Sequence, residues 1–149
     1  MSRYVHASAL ILGEYGVLVR GDSGTGKSQL VLALLALAQT RGIFARLVGD
    51  DRIGLDVRCG RLVARAHPDI AGQIEQRGIG IVVLPHEAAT IIGLVVDLAA
   101  ESVPLRRLPD DGDKAALLEG VQLPRLLLAA SSGMPEAAET VLAALKRMD

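Results

Sequence analysis

Eight consecutive residues, Gly21-Asp22-Ser23-Gly24-Thr25-Gly26-Lys27-Ser28, satisfy the pattern G-x-x-x-x-G-K-[ST] at every fixed position. That spacing suits phosphate chemistry. Glycines let the backbone take positive φ and approach a ligand closely, so several N–H groups can converge on an anion. A helix opening at Lys27 adds its positive end to the same spot. The Lys27 ammonium can reach terminal phosphates, and the Ser28 hydroxyl can coordinate Mg²⁺. Such a loop captures a nucleotide without saying what becomes of its γ-phosphoryl group. A carboxylate must supply the rest, either on the metal or on the nucleophile. Two apolar runs end in Asp: Leu47-Val48-Gly49-Asp50-Asp51, and Ile91-Ile92-Gly93-Leu94-Val95-Val96-Asp97. In a generic P-loop ATPase or small-molecule kinase Asp97 would be the metal ligand. In a kinase acting on a hydroxyl, an Asp at a strand end could accept the hydroxyl proton. Adjacent carboxylates on an extended chain face opposite ways, so one of Asp50 and Asp51 is expected to point at the phosphate.

The elements around these residues agree with the motif. Residues 4–12 and 15–20 read as strands, the second stopping at Gly21, and a long helical pattern runs from Lys27 to about Thr40. Residues 43–49 form a third strand leading into the Asp pair. Residues 53–58 and 61–65, joined by Cys59-Gly60, predict a hairpin with a two-residue turn. Pro68 suits the first turn of a short helix reaching about Gln76, and Gly78 and Gly80 bracket a turn into a strand over 81–84. Strands over 90–98 and 121–130, a loop over 105–113, a short helix over 114–119 and a closing amphipathic helix over 135–148 complete the pattern. Several strands follow one another without helices, so the expected architecture is a single α/β domain with a P-loop, a mixed β-sheet and flanking helices.

Composition narrows the function classes. At 149 residues and half hydrophobic, the chain suits one domain with a real core. Sixteen basic against seventeen acidic residues, with one Phe, two Tyr and no Trp, argue against a nucleic-acid grip or a base-stacking platform. Cys59 is the single cysteine, so neither a disulfide framework nor a thiolate cage is expected. The longest unbroken apolar run, residues 30–38, is under half of the ~20 residues a spanning helix needs, and the N-terminus has no signal-peptide core. The expectation is a cytoplasmic protein with no membrane or nucleic-acid partner.

Taken in order, His6, the Gly21–Ser28 loop, Leu47-Val48-Gly49-Asp50-Asp51 and Ile74-Glu75-Gln76-Arg77-Gly78-Ile79-Gly80-Ile81 resemble the catalytic domain of HPr kinase/phosphorylase. The last segment is similar to that family's Glu-Ile-Arg-Gly-Leu-Gly-Ile signature, with Gln76 the main change. The resemblance spans about residues 4–108 and looks like the short form, without the additional N-terminal domain of longer members. It implies a phosphoenolpyruvate-carboxykinase-like P-loop kinase that uses ATP and Mg²⁺ to phosphorylate a serine of HPr, the small phosphocarrier protein. That activity would regulate the phosphotransferase system, and the reverse reaction would use inorganic phosphate. Asp51 would be the general base, and in reverse the acid. Glu75 would join Ser28 on Mg²⁺. Asp50, Arg77, Gly78 and Gly80 would support the site, and His6 would orient an Asp or contact a phosphate. Arg107, or its neighbour Arg106, matches the catalytic arginine, and a homo-hexamer is implied.

Departures accompany the resemblance. His-Gly of the family is His6-Ala7 here, and its Arg-Pro-Gly-Arg-Asn segment, tied to phosphorolysis, has no clear counterpart; the nearest stretch is Leu123-Pro124-Arg125-Leu126, with one arginine and no glycine. Asp97 closes a strand as it does in the family, and reads as a sheet-edge cap. Two other readings remain at this point: the generic P-loop enzyme with Asp97 on the metal, and a nucleotide sensor without catalysis.

Overall fold

A computed structural model describes residues 3–22, 24–99, 114–129 and 133–149 of the chain. Among these, eleven strands and two α-helices follow in the order β1 (Arg3–Val5), β2 (Ala7–Leu12), β3 (Tyr15–Arg20), α1 (Lys27–Thr40), β4 (Ala45–Gly49), β5 (Ile53–Arg58), β6 (Arg61–Ala66), β7 (Gln73–Gln76), β8 (Gly80–Val83), β9 (Ala89–Ala99), β10 (Ala115–Leu118), β11 (Val121–Ala129) and α2 (Met134–Arg147). Nine strands form one sheet along the path β1-β5-β6-β9-β3-β2-β4, with β11 also on β9 and β10 on β11. The sheet is mixed, as expected: β9 runs parallel to β3 and β11 but antiparallel to β6.

Period-two alternation sorts the side chains into two layers. Leu10 and Leu12 of β2, Val17 and Val19 of β3, and Leu94, Val96 and Leu98 of β9 face α1 and α2, meeting Leu30, Val31, Leu34, Val141 and Leu145. Ala7, Ala9, Leu18, Ile92 and Val95 face the other way and are covered by Ile53, Leu55, Leu62, Ala64, Ala116 and Leu123. Both helices therefore cover one face, and strands curl over the second. Helix α1 is built from strong helix formers and ends where Gly42 takes φ +67°. There the Gly42 N–H donates to Gln39 O at 3.3 Å and Ile43 N–H to Ala38 O at 2.9 Å, the pairing of a Schellman stop.

Three expectations change. The strand expected over 4–12 is broken at His6 into β1, on β5, and β2, on β3 and β4. The helix expected from Pro68 lasts one 3-10 turn, Pro68–Ile70, capped by His67 Nδ1 accepting from Asp69 N–H at 3.1 Å. The chain then continues as β7, because pairing with β8 satisfies its backbone and buries Ile74. Residues 115–118 are strand β10 rather than helix: the Glu119-Gly120 corner, both at positive φ, folds them onto β11, and pairing overrides the helix preference of Ala and Leu. The Cys59-Gly60 hairpin forms as expected.

Candidate active site

The loop from Gly21 to Ser28 leaves the end of β3 and enters α1. Gly24 and Gly26 take φ +85° and +100°, which turns the backbone inward before the helix begins. At Gly26 the positive φ is the constraint on a side chain; a Cβ there would also meet Met134 Cε, a flexible tip, at 2.6 Å, and that methyl would have to move aside. Thr25 closes the loop through its N–H and its hydroxyl, both donating to Asp22 O at 3.1 and 2.7 Å. No side chain caps the first turn of α1, so its N–H groups stay available to an anion. Lys27 is buried, and its Nζ donates to Gly21 O at 2.8 Å and Asp22 O at 3.3 Å, which places the ammonium under the loop. Ser23 lies outside the described residues.

Strand β4 delivers the Asp pair to the same place. Asp50 is buried and accepts from Ser28 Oγ with both carboxylate oxygens, at 2.9 and 2.8 Å. Asp51 is exposed and its Oδ1 lies 3.4 Å from His6 Nδ1. Both carboxylates thus line one cleft, although neighbouring side chains on an extended strand would face opposite ways. The reason is local: the chain is not extended here. Asp51 has φ +66°, and Arg52 N–H donates to Asp50 O at 2.8 Å, which closes a three-residue turn around Asp51.

The cleft, of about 320 Å³, is lined by the loop glycines 24 and 26, Lys27, Ser28, Gln29, Asp50, Asp51, Glu75 and Arg77. Glu75 reaches it from β7, where Ile74 points into the core and Glu75 to the opposite side. Arg77 Nε and Nη2 donate to the Gln29 amide oxygen, turned toward them, at 3.1 and 3.0 Å. Gly78 and Gly80 (φ +84° and +105°) shape the β7–β8 turn and do not line the cleft. Arg106 and Arg107 lie outside the described residues. A larger concavity of about 710 Å³, between the β2–β3 turn and α2, contains no residue of the glycine loop.

The donor set suits a hard divalent cation. Ser28, Asp50 and Glu75 offer oxygen only, and Mg²⁺ prefers one or two carboxylates completed by substrate phosphates to an all-protein cage. Among the described residues no group of three or more His, Cys, Asp or Glu is placed to hold a metal by itself.

Asp97 occupies a different environment. Val96 and Leu98 pack toward α1, so Asp97 between them faces the opposite side of the sheet. There Arg20 donates to it from Nε and Nη2 at 2.7 and 2.8 Å, and Arg125 Nε donates to its other face. Burial alone would raise the Asp97 carboxyl, yet the hydrogen bonds and charges of Arg20 and Arg125 hold it below the usual carboxylate range. It is no sheet-edge cap, because β9 lies mid-sheet between β3 and β11. Arg125, in the stretch nearest to the family's Arg-Pro-Gly-Arg-Asn segment, is engaged on Asp97.

Two features escaped the sequence reading. Asp50, expected as support, is the carboxylate in direct contact with Ser28. Ser8, which carried no expectation, donates to Asp50 Oδ1 at 2.6 Å. A lone serine among Ala and Leu on a buried strand was the available signal.

Comparison with known proteins agrees with this geometry. The family model described as HPr Serine kinase C-terminal domain matches residues 1–146. A protein named HPr kinase/phosphorylase from Mycoplasma mycoides subsp. mycoides is 30% identical over 139 residues, covering 86% of this chain and 42% of that protein. One of the same name from Limosilactobacillus reuteri is 28% identical over 140 residues, covering 87% and 41%. The chain therefore spans about two fifths of the length of these curated relatives. A solved structure titled Hpr(Ser) kinase/phosphatase from Coxiella burnetii shares the fold, with TM-score 0.76 and 24% identity over 98% of this chain and 97% of that one. No described helix is long and apolar enough to cross a membrane. With the family model matched over residues 1–146, the chain belongs to the HPr serine kinase C-terminal domain family.

Proposed function

We propose that the chain transfers the γ-phosphoryl group of ATP to a serine hydroxyl of an HPr-like phosphocarrier protein, and so acts on the phosphotransferase system. The observation that carries this reading is the shared cleft: the exposed carboxylate of Asp51 lines it together with Lys27 and Ser28. Asp51 takes the proton of the serine hydroxyl as that oxygen bonds to the γ-phosphorus, and the bond from phosphorus to the β,γ-bridging oxygen breaks, releasing ADP. His6 steadies Asp51. Lys27 exchanges two neutral carbonyl partners for anionic phosphate oxygens, which make stronger charge-assisted hydrogen bonds. Ser28 and Glu75, with Asp50, would hold Mg²⁺, which when bound neutralises phosphate charge. Arg77 is in reach of phosphate oxygens at the cleft's rim.

In the phosphorolysis direction an oxygen of inorganic phosphate bonds to the phosphoserine phosphorus, the bond from phosphorus to the serine oxygen breaks, pyrophosphate forms, and protonated Asp51 gives its proton to that serine oxygen. One residue can serve both reactions, because the same serine oxygen loses a proton in one and regains it in the other. The same reading includes a homo-hexamer, which a monomeric mass in solution would remove.

The test is incubation of the pure protein with γ-labelled ATP, Mg²⁺ and an HPr-like protein. Label on a partner serine is expected; free phosphate alone, or no release, would replace this reading by an ATPase or a nucleotide sensor. Asp51→Asn is expected to bind ATP normally and transfer nothing, and undiminished transfer would reject Asp51 as the base.

A further inference from the structure

Strand β2 runs between β3, which leads into the glycine loop, and β4, which delivers the Asp pair. Ser8, fully buried on β2, shares the strand face of Leu10 and Leu12 that looks toward α1. Burying a hydroxyl costs free energy that an alanine would avoid, as Ala7 and Ala9 on either side do, unless the hydroxyl finds partners. Ser8 finds two, both at the Asp50-Asp51 corner. Its Oγ donates to Asp50 Oδ1 at 2.6 Å and accepts from Asp51 N–H at a longer 3.5 Å. That corner needs support: a non-glycine residue at φ +66°, centred in a three-residue turn, is a strained conformation that persists only where its surroundings enforce it.

We propose that Ser8 is a positioning residue for this pair. It fixes the Asp50 carboxylate against Ser28, the cation-binding hydroxyl, and holds the turn that points Asp51 into the cleft. The proposal rests on the kinase reading for its consequence in transfer, but its effect on the cation site stands apart from it. Removing the Ser8 hydroxyl leaves Asp50 bonded to Ser28 alone among the side chains described and frees the carboxylate to swing. Partners of this kind, one step behind a metal ligand, are typically worth 10–100-fold in metal affinity or activity, roughly.

Mn²⁺ is the probe, titrated by electron paramagnetic resonance in the presence of a non-hydrolysable ATP analogue. Ser8→Ala is expected to weaken Mn²⁺ by about tenfold or more, with analogue affinity in EDTA unchanged. In the transfer assay kcat should fall by a similar factor while KM for the HPr-like protein holds. If alanine lowers the folded fraction, Ser8→Cys, of similar shape but a weak donor, should give a loss of the same sign. A merely structural role is separated by a double-mutant cycle: in an Asp50→Asn background, Ser8→Ala should have little further effect on Mn²⁺ affinity. Wild-type Mn²⁺ affinity in Ser8→Ala, or the same loss in both backgrounds, overturns the proposal. If the wild-type protein transfers nothing to the HPr-like protein, the kinase reading fails, and the Mn²⁺ comparison still decides the role of Ser8.

Discussion

At the scale of single residues, the site combines buried and exposed charge for different purposes. Lys27 and Asp50 are buried, each tied to partners that fix its position, and both sit where phosphate and cation charge would be neutralised. Lys27→Ala is expected to lower phosphoryl transfer by at least ~10²-fold in steady-state kinetics, the loss that follows removal of one preorganised transition-state donor. His6 and Asp51 are exposed and 3.4 Å apart, a pair of a kind that contributes about 1 kcal/mol or less to stability. His6→Ala should therefore leave the urea midpoint nearly unchanged, so that any fall in transfer reports on the orientation of Asp51. Glu75→Ala should raise the Mg²⁺ concentration needed for half-maximal transfer, and an unaltered Mg²⁺ titration would exclude metal ligation. The residue types and their spacing along the loop made Lys27 and Ser28 legible from sequence. The partnership of Asp50 with Ser28 was not legible, since it depends on how three strands line up side by side.

At the scale of elements, the glycine loop enters α1 through a backbone conformation that glycine alone adopts freely. Gly26→Ala would place a side chain at a positive φ of 100°, which side chains rarely adopt, and would push the flexible Met134 methyl of α2 aside. A destabilisation of about 1–2 kcal/mol or more is expected by urea denaturation, with ATP affinity falling alongside it. The hairpin β7–β8 is a second case. Residues 73–76 were expected to be helical, on the strength of Pro68 and Asp69, but alternation places Ile74 in the core and Glu75 in the cleft. A helix would have turned Glu75 away from Ile74 by only about a third of a turn; a strand turns it to the opposite face. Four residues hold too little periodicity to distinguish the two forms, so the pairing partner decided.

At the scale of the whole molecule, the sheet is stitched by an ion cluster as well as by its two apolar layers. Asp97 on β9 ties Arg20 of β3 to Arg125 of β11, across strands far apart in sequence. Because its carboxyl is held below the ordinary range, the stability it confers is complete above about pH 4, the unfolded carboxyl value, and is lost as the pH falls through its lower folded value. Asp97→Asn should cost about 3–5 kcal/mol at neutral pH, because it removes the carboxylate charge that Arg20 and Arg125 are bonded to. That difference from the wild-type protein should shrink in urea titrations taken below about pH 4. The same variant should retain the Mg²⁺ dependence of transfer, because Asp97 faces away from the cleft; a lost Mg²⁺ response would restore it as a metal ligand.

The sequence by itself determined the phosphate loop, the helix behind it, the mixed α/β character and the order in which the chemical groups occur along the chain. These are properties of short windows, set by glycine dihedrals, side-chain period and donor type. The tertiary structure decided which groups meet. Only the register of β2 between β3 and β4 brings Ser8 to Asp50, and only the corner at Asp51 lets two neighbouring carboxylates share one cleft. Only the placing of Asp97 on the side of β9 away from α1 separates it from Ser28. Contacts of that kind arise when strands distant in sequence close side by side, a cooperative arrangement that no local pattern encodes.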